Sequence, residues 1–301
     1  MTAEVAASSG QAVVDRLVQL LDLEPIEVNI FRGMSPDEDR QRIFGGQVAG
    51  QALVAAARTV PPDRPVHSLH AYFLRAGDPR VPVLYEVDRL RDGGSFTTRR
   101  VVAIQHGTAI FNMATSFQVD ELGPDHHDPM PDVPTAERLS AIWQPGEGEE
   151  LEPIDRQGSP HVVDAFEMRH VGEFTPPGGT RGDAARDPDQ DTWFRTRGAL
   201  PDDPLLHTCI VAYASDLTLL GTALLPHPMT GDHPGYMVAS LDHVMWFHRP
   251  FRADDWLLYH THSSSAAAGR GFATGQVFCA DGTLAVSVAQ EGLVRPVRTK
   301  R

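Results

Sequence analysis

Apolar residues in this chain switch between helical and alternating spacing, and the switches divide the chain into predicted helices and strands. Valine and leucine recur every three or four positions over residues 11–23, which predicts an amphipathic helix that Pro25 ends. A short strand is expected over residues 26–31. Residues 45–57 begin with two glycines and contain mostly small side chains. This composition predicts a buried helix that packs closely on both sides.

Four strands are predicted after this helix, because runs of β-branched and aromatic residues alternate with Gly, Asp and Pro turn signals. They cover residues 66–74, 83–91, 96–105 and 108–118. The second half of the chain repeats the order of one helix and four strands. Its predicted elements are strands at 166–171 and 192–196, a helix at 204–220, and strands at 237–248, 256–264, 271–279 and 283–293.

The repeated order predicts a duplicated domain, since a period this long does not fit a solenoid of short repeats. A shift of 172 positions superposes Ser68 on Ser240 and Gln118 on Gln290. We expect a first domain over residues 11–120, a linker over 121–160 and a second domain over 161–297. The linker is rich in Pro, Gly and acidic residues, with a short helix near 136–143, and the similar segment 176–190 is expected to be a mobile loop.

Composition places the chain among globular proteins and excludes several kinds of partner. Of its 301 residues 41% are hydrophobic and 22% are charged, and the formal net charge is −14. A negative field of this size argues against nucleic acid, whose phosphates require clustered Lys and Arg. The most apolar window, residues 205–225, contains Asp216, and a charge in its middle argues against a membrane span.

The termini and cysteines predict a cytoplasmic location. The N-terminus has no secretory signal pattern, and the last residues are not a peroxisomal tripeptide. Cys209 and Cys279 are too few for a disulfide framework, and both lie in apolar runs where a free buried thiol is the ordinary interpretation. His126 and His127 lie in the Pro-rich linker without further spaced ligands, so we assign no metal site.

Five segments resemble the acyl-CoA thioesterase II family and occur in the family's order. The strongest is SLDHVMWFHRPF at residues 240–251. The others are SVAQEGLVR at 287–295, YASD at 213–216, RIFGGQ at 42–47 and VHSLHAYFLR at 66–75. The resemblance implies an α+β fold of the double hotdog type, in which two tandem antiparallel sheets each wrap around a central helix. It also implies hydrolysis of fatty acyl-CoA to free acid and coenzyme A without a cofactor.

Three residues match the positions that hold the attacking water in that family. Asp216 would be the general base, and Ser240 and Gln290 would orient the water. Asp216 alone could equally be a structural carboxylate satisfied by a cap or an Arg side chain. Ser240 and Gln290 taken singly are ordinary strand residues. The resemblance therefore carries their assignment.

A substrate-binding role is predicted for Gly45, Gly46 and Gln47. Backbone N–H groups at a helix start lack intrahelical acceptors and can stabilise an oxyanion, and glycine lets a substrate approach the backbone closely. The alternative is a tight turn that only leads into the helix. Because a thiol leaving group has a pKa near ~8.5, no catalytic histidine is required.

Two other functions are weighed against the hydrolase. A non-catalytic acyl-CoA binding or sensing protein would keep the fold without turnover, but such a protein has no need of an intact water-holding set. A hotdog-type enoyl-CoA hydratase would require a His and Asp pair in a hydratase motif, which the sequence lacks. The G-x-S-x-G elbow of α/β-hydrolases is also missing. The resemblance is compatible with a homo-oligomer.

Overall fold

One antiparallel sheet of 13 strands runs through both halves of the chain in the computed structural model. The structure describes residues 3–36, 41–140, 162–172, 186–227 and 235–297, with side chains from residue 10 onward. The expected segment 176–190 falls largely outside these residues, although Asp189 and Gln190 already belong to a strand. Half of the expected linker, residues 141–160, is likewise outside them.

The helices and strands follow the predicted order closely. The first half contains α1 Ala3–Leu21, β1 Glu24–Glu27, β2 Ile30–Gly33, α2 Gly45–Ala57, β3 Val66–Phe73, β4 Val83–Asp92, β5 Phe96–Gln105 and β6 Thr108–Gln118. The second half contains β7 Phe166–His170, β8 Asp189–Thr196, α3 Pro204–Ser215, α4 Leu219–Thr222, β9 Tyr236–Ser240, β10 Asp242–Phe247, β11 Leu257–Ala267, β12 Arg270–Cys279 and β13 Leu284–Pro296. Short 3₁₀ turns lie at Ala136–Arg138 and Val162–Ala165.

The two halves of the sheet are joined edge to edge. The strand order is β1-β2-β4-β5-β6-β3 and then β10-β13-β12-β11-β8-β7, with β9 paired to β13. At the junction Tyr72 lies opposite Asp242 and Ser68 opposite Trp246. The expectation of two separate sheets was therefore incomplete. Pairing β3 with β10 satisfies backbone groups that would otherwise form two open edges.

The two central helices run antiparallel and pack closely, as the small residues of α2 predicted. A Cβ atom on Gly46 would lie 2.3 Å from the carbonyl oxygen of Tyr213, and one on Gly50 would lie 3.3 Å from that of Cys209. The two glycines are four residues apart and thus share one helix face. Their missing side chains bring the N-terminus of α2 to the C-terminus of α3.

The predicted helix over 204–220 is wrong in its second part, because α3 stops at Ser215 and Asp216 is its C-cap. Asp203 caps the other end, where its Oδ1 accepts a hydrogen bond of 3.0 Å from the backbone N–H of Leu205. The expected strand 26–31 is two short strands with Asn29 at positive φ between them. The strand expected over 237–248 is likewise divided, at Leu241.

Strand register corrects the superposition of the two halves. Phe96 lies opposite Gln118 at one end of the β5–β6 ladder, and Arg270 lies opposite Leu293 at the same end of β12–β13. Gln118 therefore corresponds to Leu293 and not to Gln290. The true shift between the halves departs from 172 by two or three residues. A few scattered sequence identities cannot reveal so small a departure, but it changes which side chains correspond.

A buried polar network anchors α2 to its surroundings. Gln51 is 0% exposed and donates from Nε2 to the carbonyl oxygens of Leu20 at 2.6 Å and Met34 at 3.0 Å. Its Oε1 accepts a hydrogen bond of 2.7 Å from the hydroxyl of Tyr85. One amide therefore connects α1, α2, β4 and the end of β2.

We predict that Gln51→Met destabilises the protein by about 3 kcal/mol, because it removes the partner of the buried Tyr85 hydroxyl and the side-chain donor to the Leu20 carbonyl, and leaves the Met34 carbonyl with Gln47 alone. Urea denaturation followed by circular dichroism measures the loss. Tyr85→Phe is the matched control and should cost less, since Gln51 keeps both of its donor contacts. Equal stability of Gln51→Met and the unaltered protein would contradict this role.

Candidate active site

The predicted catalytic residues meet where the C-terminus of α3 faces the strands β9 and β13. Asp216 is the C-cap of α3 and is half-buried. Its Oδ1 accepts a hydrogen bond of 3.0 Å from the hydroxyl of Ser240 and one of 2.6 Å from Nε2 of Gln290. The structure therefore brings together three side chains that are as far as 74 residues apart in sequence.

The position of Asp216 is unfavourable to its own helix and favourable to the neighbouring one. A carboxylate at a helix C-terminus faces the negative end of the macrodipole, whereas one at an N-terminus faces the positive end. Asp216 ends α3, but a Cβ atom on Gly45 would lie only 2.6 Å from its Oδ2. The carboxylate thus lies against the first residue of α2, where negative charge is stabilised.

The first turn of α2 offers unused hydrogen-bond donors. Its N-cap, Phe44, has no capping side chain, and the first turn contains no acidic residue. The first backbone bond of the helix runs from the N–H of Val48 to the carbonyl of Phe44, at 3.4 Å. The amides of Gly45, Gly46 and Gln47 have no acceptor within the part of the chain that the structure describes.

Neither glycine is needed for an unusual backbone conformation. Gly45 and Gly46 do not have positive φ. A tight turn with a backbone conformation that only glycine adopts easily therefore does not explain the two glycines. Close approach requires them instead. A side chain at Gly45 would meet Asp216, and one at Gly46 would meet Tyr213 and Phe44.

Gln47 contributes differently from the two glycines. Its side chain is 3% exposed and donates to the carbonyl oxygen of Met34 at 3.2 Å and to the hydroxyl of Ser35 at 3.0 Å. Its side-chain nitrogen is therefore engaged, whereas its backbone N–H remains available to a ligand. A pocket with an empty volume of about 280 Å³ opens beside it and is lined by Ser35, Pro36, Arg42, Ile43, Phe44, Gln47, Pro79 and Tyr213.

A second layer of polar residues supports Gln290. His243, which belongs to the segment 240–251, is 0% exposed and lies between Gln290 and Ser215. Burial lowers the pKa of His243, and the negative charge of Asp216 opposes that shift. The sequence analysis did not identify Ser215 as a supporting residue. Its position directly before Asp216 was the signal that could have identified it.

The first half has different residues at the corresponding positions. Gln290 lies opposite Ala273 on β12, whereas the equivalent pair in the first half is Thr115 opposite Arg99. Ser240 lies opposite Gly292, and the equivalent pair is Val66 opposite Phe117. The offsets are 174 between Val66 and Ser240 and 175 between Thr115 and Gln290. Ser68 therefore does not correspond to Ser240.

Arg99 occupies the space at the end of α2 where the second half has its site. It is 0% exposed and donates to the hydroxyl of Thr59 at 2.8 Å, to the Thr59 carbonyl at 3.0 Å and to Asp92 at 2.6 Å. Thr59 follows the C-cap of α2, so a guanidinium lies where α3 has a carboxylate. A cation at a helix C-terminus is stabilised by the dipole.

Other candidate groups have ordinary environments. Within the described residues no group of three or more His, Cys, Asp or Glu side chains is arranged to hold a metal ion. Asp125, beside His126 and His127, is exposed and pairs with Arg249. Burial raises the pKa of Cys209 and also that of Cys279, the latter to about 11, so neither thiol is activated as a nucleophile.

Comparison with known proteins identifies the same family in both halves. Residues 35–118 match the model of the acyl-CoA thioesterase N-terminal domain, and residues 167–293 match that of acyl-CoA thioesterase. Human acyl-coenzyme A thioesterase 8 is 41% identical over 98% of this chain and 97% of its own length. Acyl-CoA thioesterase 2 of Haemophilus influenzae is 40% identical over 94% of this chain and 98% of its own.

Solved structures agree with the sequence matches. An acyl-CoA thioesterase II from Mycobacterium marinum superposes with a TM-score of 0.77 at 44% identity and covers 95% of this chain and 99% of its own. A hot dog fold protein from Alicyclobacillus acidocaldarius superposes with a TM-score of 0.71 at 17% identity, which supports the fold alone. The predicted double hotdog fold is confirmed, and the chain belongs to the acyl-CoA thioesterase family.

Proposed function

We propose that this protein hydrolyses fatty acyl-CoA to free fatty acid and coenzyme A, with Asp216 as general base. One observation carries the proposal: Ser240 and Gln290 both donate to Oδ1 of Asp216, whereas Oδ2 lies beside the open first turn of α2. The curated relatives are named acyl-CoA thioesterases, which supports the same substrate class here. No relative supports the non-catalytic alternative.

The proposed reaction begins with a water molecule that Asp216 deprotonates. Ser240 and Gln290 use up the lone pairs of Oδ1 and fix the carboxylate, so the second oxygen remains free for the water. Gln290 is 1% exposed, so its contact with Oδ1 is shielded from solvent. Fixing the water before the reaction removes an entropic part of the barrier.

The amides of α2 complete the proposed mechanism. The water oxygen forms a bond to the thioester carbon, and the carbonyl oxygen gains negative charge that free N–H groups of Gly46 and Gln47 would stabilise. The carbon–sulfur bond then breaks and coenzyme A leaves as a thiolate, which takes a proton from Asp216 or from solvent. A thiol with pKa near ~8.5 leaves without a strong general acid.

We also propose that the protein acts in the cytoplasm and does not bind nucleic acid. Pro204–Thr222 is long and apolar enough to cross a membrane by composition, yet 61% of that window is buried inside the fold. We propose that its two helices, α3 and α4, remain in the core of the fold. Coenzyme A carries several phosphates, so we propose that a local group of Arg side chains binds it despite the net charge of −14. A homo-oligomer remains part of the proposal.

We predict that Asp216→Asn lowers kcat by about 10²–10⁴-fold, because an amide of the same size cannot accept a proton. Thiol release from a panel of acyl-CoA substrates measures turnover and also separates a hydrolase from a binding protein, since only hydrolysis yields free coenzyme A. Asp202→Asn, at a carboxylate whose side chain is 95% exposed, is the matched control. Near-normal turnover of Asp216→Asn would refute the assignment of the base.

We predict that Ser240→Ala and Gln290→Ala each lower kcat, and that the double variant loses less than the product of the two single losses. Both side chains act on one carboxylate oxygen, so their effects are coupled. Single-turnover rates with one acyl-CoA substrate complete the cycle. Fully multiplicative losses, or no loss from either substitution, would argue against a shared role.

We predict one reaction centre per chain, because Arg99 and Val66 occupy the first-half positions that correspond to Ala273 and Ser240. The alternative is a second centre completed by Asp37 or Glu38, which lie outside the described residues. Calorimetric titration with a non-hydrolysable thioether analogue gives the stoichiometry. Two equivalent sites per chain, both abolished by different substitutions, would rule out the single centre.

A further inference from the structure

A fully buried histidine stands directly behind the proposed water-binding set. His243 lies on β10 and is 0% exposed. Its Nδ1 is 3.1 Å from Nε2 of Gln290, and its Nε2 is 2.8 Å from the hydroxyl oxygen of Ser215. It is too deep to touch solvent, and Gln290 separates it from the carboxylate of Asp216 along this chain of hydrogen bonds.

The partners determine which ring nitrogen carries the proton. The nitrogen of an amide side chain can only donate, so Nδ1 of His243 must accept from Gln290 and carry no hydrogen. The single proton of the neutral ring is then on Nε2 and is donated to Ser215. The Ser215 hydroxyl in turn donates to the carbonyl of Ala212 at 3.0 Å. Every donor in the chain from Gln290 to Ala212 has an acceptor.

The same chain determines the orientation of the Gln290 amide. Its two N–H groups are directed to Oδ1 of Asp216 and Nδ1 of His243, at 2.6 and 3.1 Å. The reversed amide would place Oε1 against Oδ1 of Asp216, so this attractive contact would become repulsive. The observed orientation leaves Oε1 without a partner among the residues that the structure describes. A buried acceptor in this state is costly, so the contacts of Nε2 must hold the amide in place.

We propose that His243 is a positioning residue: it locks the Gln290 amide with both donors engaged, so that Nε2 is held as a donor to Oδ1 of Asp216 and Oδ2 remains available to the reacting water. This inference rests on the proposed hydrolase function. Asp216 holds one N–H of the amide, and His243 holds the other. A protonated ring would place a second donor against the Gln290 nitrogen, and burial, which lowers the pKa of His243, keeps the ring neutral against the opposing effect of Asp216.

Three substitutions separate positioning from packing. His243→Asn keeps a short amide whose oxygen can accept from Gln290, His243→Gln reaches toward Ser215 instead, and His243→Leu removes both contacts. We expect kcat of His243→Asn to stay within about threefold of the unaltered protein and that of the other two to fall by about 10–100-fold, as for other residues that orient a reacting group. KM should change little. Thermal unfolding shows how far each variant is destabilised.

A second set of variants tests whether His243 acts through Gln290. In a Gln290→Ala background, His243→Leu should lower kcat no further, because the group that it positions is absent. A loss of the same size in both backgrounds would mean that His243 only supports the fold, and would overturn the inference. Should His243→Leu not fold, the comparison of His243→Asn with His243→Gln still decides, and equal kcat for those two would overturn it.

Failure of this inference is distinguishable from failure of the proposed function. If Asp216→Asn and Gln290→Ala both turn over normally, the water-holding set is wrong and the role of His243 is overturned with it. If these two variants are impaired while His243→Leu keeps normal kcat, only the positioning role is overturned. Impairment of all three, with no added loss in the Gln290→Ala background, supports both.

Discussion

The close antiparallel contact between α2 and α3 is the constraint on which the rest of this structure depends. Gly46 and Gly50 bring the α2 backbone against carbonyl groups of α3, at separations that leave no room for a side chain at Gly46 and little at Gly50. The contact places the N-terminus of one helix beside the C-terminus of the other. A carboxylate that ends α3 is thereby held against free backbone donors of α2, although the two segments belong to different halves of the chain.

The duplicated fold contains two such helix ends, and different residues lie at each of them. One has Asp216 with Ser240 and Gln290, and the other has Arg99 bonded to Thr59. Arg99 is stabilised by the helix dipole and by complete hydrogen bonding, whereas Asp216 is placed against the dipole of its own helix. The helix end with Arg99 therefore contributes stability. The helix end with Asp216 holds charge in an arrangement that is better explained by chemistry than by folding.

Much of the fold could be predicted from the sequence, because periodicity reports local structure. Strands β5 and β6 occur at the predicted bounds, since short turns with Gly107 and Gly94 separate strongly alternating runs. The end of α3 could not be predicted in this way. The segment from 210 to 220 is mostly apolar, with Ser215, Asp216 and Thr218 as its small polar residues, and nothing local shows that the helix breaks at Asp216 so that its carboxylate can contact two strands.

The candidate site, too, could be predicted only in part from the sequence. Asp216, Ser240 and Gln290 were identified through family resemblance, and hydrogen bonds then placed them together. The sequence by itself determined the element order, the family and the candidate residues, because these depend on local spacing and motif. The tertiary structure alone decided the strand register, the junction of β3 with β10, the occupation of the first-half site by Arg99 and the contact of His243 with Gln290. Register and burial depend on contacts between distant residues, and a shift of two positions in a strand costs nothing locally but changes which side chains meet.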